Sequence, residues 1–133
     1  MAALAVALMT GAGPAMAHHS AAAEYEGKTT VIAGTVTRFE WINPHVWIYL
    51  DVKDSRGESI HMKCEGNAPS GLIENGWSRD SLKPGDRITI EGYRAKGRPD
   101  GFKARVVTLP DGRRLVMGLP LDGALADGSR RGR

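Results

Sequence analysis

Hydrophobic and polar positions alternate most plainly between His45 and Lys53. Val46, Ile48, Leu50 and Val52 fall on one side, and His45, Trp47, Tyr49, Asp51 and Lys53 on the other, which is the period of a strand with one buried face. Ser59 to Glu65 repeats the pattern, with Ile60, Met62 and Cys64 on the apolar side and His61, Lys63 and Glu65 on the polar side. Ahead of these, Thr29 to Ile42 is rich in β-branched residues and is interrupted by Gly34, as a strand bent to serve two sides of a barrel requires. Asn43-Pro44 ends that run with a tight connection. Residues 66–77 lose the alternation. Pro69-Ser70-Gly71-Leu72-Ile73 opens a short helix there that ends near Trp77. A Pro-Gly turn at Leu82–Asp86 leads into a fourth strand, Arg87 to Tyr93. Phe102 to Leu109 is a fifth, and Arg114 to Met117 adds a short edge strand after the Pro110-Asp111-Gly112 turn.

This order, β-β-β-α-β-β with a long bent first strand, predicts an all-β domain with one short helix, a small OB-fold-like Greek-key barrel of five to six strands. A five- or six-stranded sandwich is the alternative. The barrel is placed at 29–117, preceded by an extended arm at 18–28 and followed by a flexible basic tail at 118–133. The chain has 133 residues, 41% of them hydrophobic and 25% charged, which is one globular domain's worth. Its single cysteine excludes an internal disulfide framework.

The net charge of +3 is concentrated at the C-terminus, where Arg130, Arg131 and Arg133 stand against Asp127. The near-neutral body argues against nucleic acid as a partner. Residues 1–17 carry no charged side chain, run apolar from Ala2 to Met9, break at Gly11–Pro14 and close on Ala15-Met16-Ala17. That is a signal peptide in outline, too short to span a bilayer. The missing basic n-region is expected upstream of Met1. Cleavage after Ala17 gives a periplasmic protein without a membrane span, expected to act as a monomer.

Cleavage would leave His18 with a free α-amine and an imidazole, next to the His19 imidazole. Such nitrogens suit a tetragonal Cu(II) centre, with His45 or His61 able to add another. His18, His19 and His45 are the ligand candidates. The Asn43-Pro44 turn lies at the far end of strand one, so the arm is expected to run back some distance to reach His45. Glu40, Trp41, Asn43, Trp47 and Tyr49 form a candidate ligand or partner surface. Trp47 and Tyr49 should face outward, either as a platform for a flat ligand or covered by a chain segment. Alternation puts His61 and Cys64 on opposite faces, so Cys64 reads as core. No nucleophile–base set or nucleotide-binding glycine loop is present, so no enzyme is predicted. The leading reading is a non-catalytic binding module for copper. The alternative is a structural or interaction protein that docks a partner or an envelope glycan through the outer aromatic face.

Several stretches carry a family resemblance: His18-His19-Ser20, Glu24-Tyr25, Gly34-Thr35-Val36, Glu40-Trp41-x-Asn43-Pro44-His45-Val46-Trp47-Ile48-Tyr49, Gly76-Trp77, Leu82-Lys83-Pro84-Gly85-Asp86 and Gly92-Tyr93-Arg94-Ala95. Together they are similar to a family of small exported proteins of Gram-negative bacteria, a domain of unknown function. The resemblance spans most of 18–117 and implies a periplasmic, single-domain β protein. It implies no activity.

Overall fold

The computed structural model describes residues 21–121. A helical turn, α1 (Ala21–Glu24), leads into β1 (Tyr25–Glu40). Then follow β2 (Trp47–Lys53), β3 (Ser59–Glu65), the short helix α2 (Pro69–Glu74), β4 (Arg87–Ala95), β5 (Gly101–Thr108) and β6 (Arg114–Val116). The strands form one mostly antiparallel sheet in the order β3-β2-β1-β4-β5-β6. A parallel pairing of β3 with β5 joins the two sides, so the sheet is ring-like. The all-β expectation with one short helix between the third and fourth strands holds.

β1 is the element on which the ring turns. It pairs with β2 through Gly34–Glu40 and with β4 through Tyr25–Thr35. Gly34 and Thr35 have partners on both sides, Gly34 opposite Val52 and Ile88. A Cβ on Gly34 would sit 2.4 Å from the Asp51 carbonyl oxygen, so only a bare Cα lets β2 come this close. A register shift between Val36 and Arg38 adds to the local twist. The strand starts at Tyr25, four residues before the expected Thr29, and α1 occupies part of the segment read as an extended arm.

The inward row of β2 is the expected one. Val46, Ile48 and Leu50 are buried, with Met62 and Cys64 of β3 beside them and Ile88 and Ile90 of β4 across the core. Burial alone pushes the Cys64 thiol up to about 12, so it stays neutral inside the core. Toward the β2–β3 hairpin end the row opens, leaving Val52 half-buried and Ile60 exposed. Proline at its first turn starts α2, which buries Leu72 and delivers Trp77, whose Nε1–H donates to the Val116 carbonyl at 2.8 Å. After β6 the chain crosses β5, with Met117 N–H donating to the Arg105 carbonyl. Leu121 then joins Tyr25, Tyr93 and Ala95 in a second small cluster. Residues 118–121, read as the start of a flexible tail, therefore include a buried anchor.

Ile48→Ala should cost about 2–4 kcal/mol by leaving a cavity among these side chains, whereas exposed Lys53→Ala should change stability by less than about 0.5 kcal/mol. Gly34→Ala should lower the denaturation midpoint clearly. Gly27→Ala, with nothing within 4 Å of the added carbon, should not. Urea titrations of the four variants check all of these.

Candidate functional site around Glu65

Glu65 ends β3 and is the point where four strands meet. Its backbone pairs with Trp47 of β2 on one side and with Lys103 of β5 on the other. Its side chain, 13% exposed, accepts from the Tyr25 hydroxyl at 2.7 Å through Oε2. Through Oε1 it meets His45 Nδ1 at 2.5 Å and the Lys103 ammonium at 3.5 Å. A carboxylate so withdrawn from water needs such partners, and here a phenol, an imidazole and an ammonium share its two oxygens.

His45 is placed by its neighbour. Val46 is fully buried, its N–H donates to the Asn67 carbonyl and its carbonyl accepts from Gly66 N–H. Asn67 N–H in turn donates to the Met117 carbonyl. The connection after β3 thus clamps the residue just before β2, and His45 has little freedom beyond its own χ angles. Donation from Nδ1 to the carboxylate makes Nε2 the lone-pair nitrogen of the neutral ring, on a side chain that is 44% exposed.

Tyr25 is 3% exposed, and its phenol is pushed up to about 12. Burial is the main cause; the hydrogen bond to Glu65 and its charge act in the same direction, while Arg98 opposes them. The sequence reading named Tyr25 only within the Glu24-Tyr25 stretch of the family resemblance, and placed none of Tyr25, Glu65 and Lys103 in a site. Only Glu65's place on the polar side of β3, ending the strand beside the aromatic row, hinted at it.

The remaining predicted residues do not gather in one place. Trp47 and Tyr49 lie half-buried on the outer face, as alternation requires. Lys63 Nζ sits 4.7 Å from the Trp47 ring centre, and the Arg38 guanidinium 4.0 Å from that of Tyr49. Tyr49 donates to Glu40 at 3.1 Å, and Glu40 also pairs with Arg38. Trp41 belongs elsewhere: it packs on Phe39, 6.0 Å between ring centres, against the main core. Asn43 is exposed. His61 is exposed and bonded to Asp51, on the opposite face from buried Cys64. His18 and His19 lie outside the described residues. Among the described residues no three of His, Cys, Asp and Glu cluster as a metal site, and no helix is long and apolar enough to cross a membrane.

Because the folded Tyr25 titrates above its unfolded value near 10, its contribution to stability is complete below pH 10 and is lost as pH rises through about 12. The full loss should approach about 3 kcal/mol, about 1.4 kcal/mol for each of the two pKa units. Tyr25→Phe should be less stable at neutral pH but flatter between pH 9.5 and 11.5, measured by urea unfolding in parallel with the native protein.

Comparison with curated proteins finds no match. A family model described as a family of unknown function, DUF6152, matches residues 5–103, most of the chain including β1 to β4 and the Glu65 cluster. On the extent of that match, the protein belongs to the DUF6152 family.

Proposed function

We propose that the protein is a periplasmic, non-catalytic binding module that takes up Cu(II) after its first seventeen residues are removed. The observation that carries this reading is the bond from His45 Nδ1 to Glu65. Metal-binding histidines are typically oriented in this way, with one ring nitrogen donating to a carboxylate while the other binds the ion, and the carboxylate raises the basicity of the ligand nitrogen. The His45 ring is fixed, half-exposed and presents one nitrogen. One imidazole does not hold copper, so further donors are required. His18, with its α-amine and imidazole, and His19 supply them in this proposal, a nitrogen set suited to tetragonal Cu(II).

Chain geometry supports the assignment better than the sequence suggested. The sequence implied a long return path from the start of strand one. In the fold, Tyr25 and His45 hold opposite oxygens of one carboxylate, so the N-terminal end of β1 is already beside the histidine. His18 lies three positions before Ala21, where α1 begins, and that stretch together with the turn spans up to about 16 Å. His61 makes the same kind of Nδ1 bond, to Asp51, but its ring is 83% exposed and so is held less firmly than that of His45.

Cu(II) titration of the mature protein starting at His18 tests this. His45→Ala and an extra Ala before His18 should each weaken binding about tenfold or more, and Glu65→Gln by about 10–100-fold. His61→Ala should leave it nearly unchanged. Equal affinity in the Ala-extended and native proteins would remove the amine from the site, and equal affinity in His45→Ala would remove the reading.

A further inference from the structure

A second site is formed by the outer face of β1 to β4, next to the Glu65 cluster but using none of its side chains. In register across the strands, Arg87–Thr35–Asp51–His61 form one row, and Arg38–Tyr49–Lys63 form the next. Lys53 and Ser59 pair beyond them. Two grooves open on this face, one of about 440 Å³ between Arg38, Tyr49 and Lys63, the other of about 460 Å³ between Thr35, Lys53 and Arg87. Each has the size of a small-molecule site.

The charges on this face are unequally matched. Arg38 pairs with Glu40, His61 with Asp51, and Asp100 stands at the rim of the groove beside Arg38 and Lys63. Lys53, Lys63 and Arg87 are exposed, and among the described residues none has a carboxylate within ion-pair distance. Lys53 donates instead to the Ser59 hydroxyl at 2.9 Å, and Lys63 rests over Trp47. Three unneutralised cations, interleaved with hydroxyls and set around two adjoining grooves, fit a ligand with carboxylates on a hydroxylated frame. A nucleic acid fits less well, because Arg38 and Lys63 lie over the rings on which bases would stack.

We infer that this face binds an acidic oligosaccharide of the uronic-acid class, its carboxylates on Lys63 and on Lys53 with Arg87, and its hydroxyls among Thr35, Ser59 and Tyr49. The site shares no residue with the proposed copper site and requires no metal.

Isothermal titration of the full chain with a uronic-acid tetrasaccharide, in chelator and at low salt, tests the inference. Binding is expected to weaken with added salt and to fall about tenfold or more in the triple variant Lys53→Ala, Lys63→Ala, Arg87→Ala. Because these side chains are exposed, the triple variant should keep the native melting temperature. Arg79→Ala with Arg94→Ala, which removes charge elsewhere, should bind as the native protein does, and a neutral glucan tetrasaccharide should not bind. No binding of the uronate, an equal loss in the Arg79/Arg94 variant, or tighter binding of a single-stranded oligonucleotide would each overturn it. Copper affinity is read without the sugar, so either reading can fail alone.

Discussion

The close approach of β2 to β1 at Gly34 is the constraint on which the rest of the molecule depends. Around this residue one strand serves two neighbours, and a side chain there would meet the Asp51 carbonyl. Because β1 can curl, its first residue reaches the far side of the ring and Tyr25 can place its hydroxyl on Glu65. The same carboxylate fixes His45 and neutralises Lys103. Backbone geometry at one glycine thus leads, through a phenol and a carboxylate, to the orientation of an imidazole some 20 residues away in sequence from Glu65. Such a cluster is strong only when every member is satisfied, since a mostly buried carboxylate without partners is costly.

Local patterns were readable wherever one face of a strand is buried. Val46, Ile48 and Leu50 declared the inward row of β2, and the Ser59–Glu65 limits of β3 follow from the turns on either side. Ile60 shares that period yet is exposed, because alternation reports a face and not whether the neighbouring strands still close over it. The early start of β1 at Tyr25 was hidden for a related reason: Glu26, Gly27 and Lys28 are polar or bare because that stretch faces solvent while still leading into the pairing with β4. Trp41 was grouped with Trp47 and Tyr49 by proximity in the chain, but the turn between them sends it to Phe39 and the core. The cluster joins Glu65 to residues 20 to 40 positions away in the chain. No local period encodes such a meeting.

The outer face also shows why aromatic content alone is a poor guide to a ligand. Trp47 and Tyr49 point outward, but each has a cation over its ring, so the accessible chemistry there is ammonium, guanidinium and hydroxyl. The two proposed sites divide along this line. One uses an imidazole held by a mostly buried carboxylate; the other uses exposed cations with no acid partner among the described residues.

Electron paramagnetic resonance of the mature protein, starting at His18 and loaded with one equivalent of Cu(II), tests the central claim most directly. The account predicts nitrogen superhyperfine structure from a tetragonal centre that includes the His45 imidazole. His45→Ala should remove one coupled nitrogen, while His61→Ala should leave the spectrum intact. A spectrum identical in the native protein and His45→Ala would contradict the account, because the oriented imidazole on Glu65 would then play no part in holding the metal.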